Sequence, residues 1–313
     1  MWPRAALYLL KNPAASPEGT EPTLLHTFDD YQGLLGIAEI APDTFAVVAS
    51  KFSGMAAVVA NGSAVWEVSL QDVANPKVRK VTDLPEGGFL NGMVKLHSSG
   101  CRNVQPADRK TVLISDSFNG AVYKVNTNTG AYEVAVKVPE MDPIEGAALP
   151  FGVNGIKIVG HFLYWANSDH TSINRVAIDM ATGVMRQGAK VETLVTLKDT
   201  AFLDEFDIDE DGTIWGRHQR RQHARRHAPQ ARDRRLRDRA RLQDGDDPRR
   251  RHLGPLRQGR RQPPHAVHHD RRRERRARQR HQDGAGQARG GGYSGIPELA
   301  VDLTLLSVVT IVL

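Results

Sequence analysis

The sequence predicts an all-β fold, a β-propeller of four-stranded blades, over residues 23–215. This part is rich in Val, Ile and Thr in short runs bounded by Gly, Asn, Asp and Pro, and no long segment shows helical periodicity. The pattern also repeats. Four stretches start with an apolar residue and a short polar or small pair, run as a strand, turn, and enter a second strand. They are residues 34–50, 90–117, 153–168 and 203–215.

Two further strand candidates follow each of the first three stretches. They are AVWEVSL and VRKVTDL, then the two halves of AVYKVNTNTGAYEVAVKV, then NRVAIDMATGVM and VETLVTL. Each unit is therefore a four-stranded antiparallel meander of roughly 50–65 residues, the size of a propeller blade. A β-sandwich would not repeat its internal pattern in this way. About three and a quarter blades fit before residue 216, and the remaining length has room for about two more, so six blades are predicted.

Residues 216–313 differ abruptly in composition from the part before them. The net charge is −9 for residues 1–215 and +15 for residues 216–313, and every basic residue after Lys198 is an arginine. From Gly216 to Gly290 there is no Ile, Phe, Tyr or Trp. Such a segment cannot bury enough apolar surface to offset the entropy of ordering it. We therefore expect an N-terminal segment (1–22), a partial propeller (23–215) and a disordered, low-complexity basic tail (216–313).

Two interpretations of this tail compete. One is an out-of-frame translation of a GC-rich gene: the run GRHQRRQHARRHA, shifted by one base, permits a strand-like text of Val, Ala, Thr and Asn that continues from Trp215. The other is an arginine-rich arm that neutralises phosphates and binds nucleic acid without sequence preference. Because natural basic arms normally include lysine, the composition favours the frameshift interpretation.

The second residue of the aligned repeats is polar in three of the four repeats. The four repeats place Leu35, Asn91, Asn154 and Asp204 there. In a propeller the first strand of each blade lines the central channel, so these side chains should converge near the axis. Two amides and a carboxylate form an oxygen-rich site suited to a hard divalent cation. The alternative is that Asn-Gly at 91–92 and 154–155 is ordinary turn chemistry, but Asp204 shares the register without a following glycine.

Four segments carry a resemblance to a known family: FLNGMVKLH, VLISDSFNGAVYKVNTNTG, GVNGIKIVGHFLYWANS and FLDEFDIDEDGTIW. They resemble the regucalcin/gluconolactonase-like six-bladed propellers, most closely the fungal members, over roughly residues 34–215. The resemblance implies a metal-dependent hydrolase of lactone-type small molecules, with calcium or zinc on the axis. Carried over by position, Asn154 and Asp204 would be metal ligands, Asp204 would also be the catalytic acid/base, and Asn91 would contact the substrate.

The chain departs from this family at Leu35, where the first blade of the family supplies a glutamate. Glu39 is four residues further on, about 13 Å along a strand, and is a doubtful substitute. Losing one anionic ligand makes a non-catalytic ligand-binding or scaffold propeller a rival to the lactonase interpretation.

Other features of the sequence are weaker evidence for a function. Asp207, Asp209 and Asp211 imitate the start of a calcium-binding loop, but His218 stands where the required glutamate would be, so a turn between two strands is predicted. Trp165 is predicted to pack between blades. We expect a small-molecule substrate, no membrane association, and nucleic-acid binding only through the tail. The sequence assigns neither a compartment nor an oligomeric state.

Overall fold

The computed structural model describes residues 5–10, 21–54, 57–96, 110–147, 149–220 and 308–312. In these residues the fold is all-β, and the only helical element is a short 3-10 helix, Pro139–Met141. The strands lie in antiparallel sheets in which neighbours along the chain pair with each other, apart from one parallel pair. The predicted all-β fold of repeated four-stranded sheets is therefore confirmed.

The chain divides into two compact units. The first comprises residues 1–34 and 261–313 and contains a three-stranded sheet. Its strands β1 (Ala5–Leu10) and β2 (Thr23–Phe28) pair antiparallel. A strand from the chain's far end, Val308–Val312, pairs with β1 in parallel; it is numbered β17 below. The N-terminal segment predicted over residues 1–22 thus contains a strand, and its side chains Ala5, Leu7 and Leu9 are fully buried.

The second unit, residues 35–260, contains the predicted repeats. Sheet 1 is β3 (Gly33–Ala41), β4 (Thr44–Gly54), β5 (Ala57–Ser69) and β6 (Lys77–Asp83). Sheet 2 is β7 (Leu90–Lys95), β8 (Thr111–Asp116), β9 (Ala121–Asn126) and β10 (Tyr132–Lys137). Sheet 3 is β11 (Val153–Val159), β12 (Phe162–Asn167), β13 (Ser172–Ala177) and β14 (Glu192–Thr196). Sheet 4 has two strands, β15 (Thr200–Ile208) and β16 (Ile214–Arg220).

Consecutive sheets pack against each other as propeller blades do. One apolar cluster joins sheets 1 and 2, with Val48 on one side and Ile114 on the other. A second joins sheets 2 and 3 and contains Trp165, which is fully buried as predicted. A third joins sheets 3 and 4 through Tyr164 and Phe206. Burying apolar side chains on facing sheets is the main favourable contribution to such packing.

The first strands β3, β7, β11 and β15 are neighbours, and glycines let them approach closely. A Cβ atom at Gly92 would lie 2.7 Å from the backbone oxygen of Asn154, and one at Gly36 would clash with the backbone oxygen of Asn91. The two Asn-Gly pairs therefore lie inside β7 and β11, not in turns, and neither Gly92 nor Gly155 has a positive φ. The turn interpretation of Asn-Gly is wrong, because here glycine serves close approach of the backbone.

The turn between β15 and β16 uses Asp209. Its carboxylate accepts from the backbone N–H groups of Asp211 and Thr213 and from Trp215 Nε1. These bonds close a hairpin, as predicted for this run of aspartates.

Strand β16 continues past Trp215 to Arg220, five residues into the predicted basic tail. Residues 221–307 lie outside the described residues, and with them the predicted disorder, the frameshift interpretation and the nucleic-acid arm. In the part of the chain that is described, no helix is both long and apolar enough to cross a membrane.

Candidate functional site

The structure brings the predicted polar positions together on the first strands of sheets 2, 3 and 4. Each pairing with the second strand has a register shift at the same place: between Leu90 and Met93, between Val153 and Ile156, and between Leu203 and Phe206. Asn91, Asn154 and Asp204 each lie in this irregular step. Asn154 Nδ2 is 3.4 Å from Asp204 Oδ1. The alignment of the repeats therefore predicted an actual proximity; the roles of these residues stay predictions.

A serine that the sequence reasoning missed orients Asn91. Asn91 Nδ2 donates to Ser117 Oγ over 3.3 Å. Ser117 is fully buried, and its hydroxyl donates to the backbone oxygen of Val153 over 2.7 Å. Val153 is the residue before Asn154, so this hydroxyl links one polar position to the next sheet.

The same relay occurs one sheet further on. Asn154 Nδ2 donates to Ser168 Oγ over 2.9 Å, and Ser168 donates to the backbone oxygen of Leu203 over 2.7 Å. Leu203 precedes Asp204 as Val153 precedes Asn154. The two serines, Ser117 and Ser168, each follow the second strand of their sheet directly, in the segments ISDS and WANS, and this shared spacing is a signal that could have identified them.

The relay fixes the orientation of the Asn154 amide. Ser168 has one hydroxyl proton, and Leu203 accepts it, so Ser168 can only accept from Asn154, and the nitrogen of the amide must face it. Asn154 is 1 % exposed, and its Oδ1 has no hydrogen-bond partner in the part of the chain that the structure describes. A buried acceptor without a donor is unfavourable by about 1–3 kcal/mol, so this oxygen is suited to a ligand.

One carboxylate, Asp204, lies beside this amide, and a second, Glu205, lies against the glycine that follows Asn154. Asp204 Oδ2 is 3.8 Å from the guanidinium of Arg217, and Glu205 Oε2 is 3.6 Å from the ammonium of Lys157. Glu205 occupies the position that repeats 1–3 give to glycine, and its carboxyl group covers Gly155. Sequence reasoning did not single out Glu205 or Lys157, although the replacement of the repeated glycine was a visible signal.

The surroundings of Glu205 disfavour its charged form. Burial raises the pKa of its carboxyl, the ammonium of Lys157 partly opposes this, and the carboxylates of Asp204 and Asp207 add to it. The side chain is nevertheless 43 % exposed. The carboxyl therefore keeps contact with solvent.

Leu35 and Glu39 contribute no polar group to this cluster. Leu35 is partly buried and packs against the apolar cluster between sheets 1 and 2. Glu39 is exposed, and its Oε1 accepts from the backbone N–H of Asp43 at the turn between β3 and β4. Asp43 has a positive φ of 54°, so the glutamate stabilises a strained turn at the far end of its strand.

The donor set fits a divalent cation through two ligands. Asn154 Oδ1 is a buried oxygen with no partner, and the Asp204 carboxylate lies next to the same amide. Both are the hard oxygen donors that calcium prefers. The described residues contain no group of three or more His, Cys, Asp and Glu side chains that could hold a metal ion. A cation here would therefore have Asn154 and Asp204 as its protein ligands, and Leu35 would add none.

Phenylalanines precede the polar positions, two of them just before a first strand and one within it. Phe89, Phe151 and Phe202 lie two or three residues before Asn91, Asn154 and Asp204. The ring centroids of Phe89 and Phe151 are 4.8 Å apart, and those of Phe151 and Phe202 are 5.7 Å apart, both in edge-to-face geometry. Phe89 and Phe151 are buried, so this aromatic packing holds the starts of neighbouring first strands together.

Two curated proteins are similar to this chain over about two thirds of its length. One is the candidate hetero-Diels-Alderase asR5 of Sarocladium schorii, 29 % identical over 223 residues, which are 65 % of this chain and 53 % of that protein. The other is a candidate hetero-Diels-Alderase of Phoma sp., 30 % identical over 234 residues, which are 68 % of this chain and 63 % of that protein. The chain thus spans between half and two thirds of the length of these relatives. No family model matches it.

Solved structures are similar at a lower level. A catalytically inactive variant of the virginiamycin B lyase from Staphylococcus aureus is 14 % identical, with 64 % of this chain and 54 % of that chain covered and a TM-score of 0.38. A luciferin-regenerating enzyme is 11 % identical, with 64 % and 60 % covered and a TM-score of 0.39.

Proposed function

We propose that this chain is an enzyme-type propeller that promotes a hetero-Diels-Alder cycloaddition, with the cluster of Asn91, Asn154, Asp204 and Glu205 as its ligand site. The similarity to two proteins named for this reaction supports the reaction class. The observation that carries the choice of site is the buried Asn154 oxygen, which has no hydrogen-bond partner among the described residues.

The reaction class suits the chemistry of these side chains. A hetero-Diels-Alder reaction joins a four-atom conjugated component to a two-atom component, forming two bonds in one concerted step with a heteroatom in the new ring. No nucleophile and no proton transfer are needed. A protein can accelerate such a step by holding both components in reacting geometry and by hydrogen-bonding the heteroatom as its charge develops.

The serine hydroxyl groups beside the cluster are consistent with a reaction that needs no nucleophile. Ser115, Ser117 and Ser168 are fully buried, and each donates its proton to a backbone oxygen. A serine nucleophile needs a base that takes this proton. Ser117 and Ser168 therefore orient the amides of Asn91 and Asn154, and Ser115 bonds only backbone atoms of Gly92 and Asn154. The side chains of Asn91, Asn154, Asp204 and Glu205 would contact the ligand.

The test is a cycloaddition assay that reads stereochemistry as well as rate. The purified chain is incubated with α,β-unsaturated carbonyl compounds and electron-rich alkenes, and the dihydropyran products are resolved by chiral chromatography. Without a catalyst the product is racemic, so an enantiomeric excess reports binding in a chiral site. We expect an excess that Asn154→Leu abolishes and that Glu133→Gln, at an exposed ion pair with Lys124, retains. A racemic product with every pair of substrates would contradict the proposal.

A second candidate function is hydrolysis of a lactone with a divalent cation, calcium or zinc. Two observations favour it: Asn154 Oδ1 has no hydrogen-bond partner among the described residues, and the nitrogen of the same amide lies 3.4 Å from the Asp204 carboxylate. A cation held by these two residues would polarise a lactone carbonyl and stabilise the oxyanion formed when water attacks. Asp204 could accept the proton of that water, although a bound cation lowers its basicity. Asn91 would orient the substrate through its amide.

Turnover of aldono- and aromatic lactones with calcium, zinc or manganese tests this candidate. We expect hydrolysis that Asp204→Ala abolishes, and no hydrolysis with chelator. If neither lactones nor cycloaddition substrates react, and a small molecule still binds the cluster, the chain is a ligand-binding propeller without catalysis.

A further inference from the structure

The amide of Asn154 has a fixed hydrogen-bond polarity, and this restricts what can bind beside it. Turning the amide over would place Oδ1 at 2.9 Å from Ser168 Oγ and at 3.4 Å from Asp204 Oδ1. Ser168 has no second proton to offer, since Leu203 accepts the one it has. Both contacts would then join two acceptors, which is repulsive. Asn154 therefore presents an acceptor, and not its N–H groups, to a ligand.

The carboxylate nearest this amide is an acceptor as well. Asp204 Oδ1 lies 3.4 Å from the amide nitrogen, it accepts hydrogen bonds in its charged form, and the cation that contacts Asp204, Arg217, is at 3.8 Å. A ligand that offered only a carbonyl or ether oxygen would leave Asn154 Oδ1 unsatisfied and desolvated. A ligand with an O–H group satisfies it.

We propose that the cluster binds its ligand through a hydroxyl group, a phenol or an enol, whose proton is accepted by Asn154 Oδ1, and that Ser168 is the positioning residue that sets this preference. The inference deepens the proposed function by naming a substrate class, hydroxylated unsaturated carbonyl compounds or phenols, and it uses the same site.

The test compares catechol with veratrole, its dimethyl ether, which has the same ring and no hydroxyl proton. Binding is followed through the ¹H–¹⁵N signals of the Asn154 side-chain amide, assigned by their loss in Asn154→Asp. We expect catechol to shift these signals and to bind at least about tenfold tighter than veratrole, because a missing donor leaves a buried acceptor unpaired. Equal affinity of the two compounds, or an Asn154 signal that catechol leaves unchanged, overturns the proposal.

A Ser168 variant tests whether Ser168 sets the hydrogen-bond polarity of the Asn154 amide or only supports the local structure. Ser168→Ala frees the amide to turn over, so it should bring the affinity ratio of catechol to veratrole close to one. Ser53→Ala removes an exposed serine whose hydroxyl bonds the backbone oxygen of Ala57, and it should keep the wild-type ratio. If Ser168→Ala keeps that ratio too, Ser168 is not the positioning residue. Because the wild-type comparison needs no variant, the proposal is testable even if Ser168→Ala does not fold.

Two further measurements distinguish a failure of the hydroxyl proposal from a failure of the proposed cycloaddition. Calcium alone is titrated against the same signals, and a calcium complex that excludes catechol would replace the hydroxyl proposal by a cation site. Cycloaddition substrates are run with and without a hydroxyl group: equal rates and enantiomeric excess would sink this inference and leave the proposed reaction standing. Selective binding of catechol without any cycloaddition would do the reverse.

Discussion

Gly92 and Asn154 lie so close across sheets 2 and 3 that a Cβ atom at Gly92 would be 2.7 Å from the backbone oxygen of Asn154. The same carbonyl accepts a hydrogen bond of 2.5 Å from Ser115, which in turn accepts one of 2.8 Å from the backbone N–H of Gly92. Gly92, the residue after Asn91, thus contacts the backbone of Asn154 in the next sheet. Close approach of the first strands and placement of the polar cluster depend on the same glycine.

Gly92→Ala should lower the free energy of unfolding by about 1–3 kcal/mol, the range for overpacking in a well-packed interior. The added methyl group meets the backbone of Asn154 and the Cα of Gly155, neither of which can move without shifting β11. Urea unfolding followed by circular dichroism measures the change.

Gly155→Ala and Gly54→Ala are the matched controls. The new methyl at residue 155 would meet the carboxyl end of Glu205, which can rotate away, and at residue 54 it would be 3.5 Å from its nearest neighbour, the Cβ of Ala57. Both should cost less than Gly92→Ala. If all three substitutions are equally tolerated, close approach of β7 and β11 does not limit stability.

Ser115→Ala should destabilise the protein by about 1–3 kcal/mol, because it leaves the buried N–H of Gly92 without an acceptor. Ser115 is fully buried. Ser53→Ala is the control, since Ser53 is exposed and its hydroxyl makes one long bond of 3.4 Å to Ala57. Thermal unfolding of the two variants should differ clearly, and equal midpoints would mean that water replaces the Ser115 hydroxyl.

Much of the fold was predictable because its signals are local. Alternating and continuous apolar runs specify strands, and equal spacing specifies the repeat, so the strand pairs at 34–50, 90–117, 153–168 and 203–215 all appear in the structure. The chain ends were harder. The β1 strand pairs with β17, about 300 residues away, and no local pattern indicates such a partner.

The site was predictable in position and not in chemistry. Aligning the repeats placed Asn91, Asn154 and Asp204 together, since equivalent positions of a repeat recur in space. The amide orientation of Asn154 depends on a hydrogen-bond chain through Ser168 to Leu203, which only coordinates reveal. The dipeptide Asn-Gly occurs most often in turns, which is why a turn was an alternative for it. In this fold the glycine of the pair lies in a strand and lets the neighbouring sheet approach closely.

The hairpin of β15 and β16 should be sensitive to acid. Hydrogen bonds from Trp215 Nε1 and from the backbone of Thr213 and Asp211 lower the pKa of Asp209. A carboxylate whose folded pKa is depressed stabilises the fold above its unfolded pKa, and that stability is lost as pH falls through the folded value. The indole N–H signal of Trp215 should therefore stay constant from neutral pH to the ordinary aspartate range and move only below it.

Asp209→Asn supplies the comparison, because an amide keeps an acceptor for the indole and has no proton to gain. Its Trp215 signal should be flat over the same acidic range. A wild-type signal that moves well above the ordinary aspartate pKa would show that another group controls this hairpin.

The last prediction concerns Leu35 and the cation. Leu35 stands at the repeat position that carries amides and a carboxylate in the other sheets, and it is partly buried against an apolar cluster. Leu35→Glu should therefore lower stability by about 1–3 kcal/mol in chelator. If Asn154 and Asp204 hold a cation, the new carboxylate becomes a third ligand, and calcium at about 100 times its dissociation constant should add about 2.7 kcal/mol.

Leu35→Gln should be destabilised similarly and gain less from calcium, because it adds no charge. Thermal unfolding with chelator and with calcium measures both variants. An equal calcium response in Leu35→Glu, Leu35→Gln and the unmodified chain would place Leu35 away from any cation, and the reaction would then depend on hydrogen bonds from the cluster.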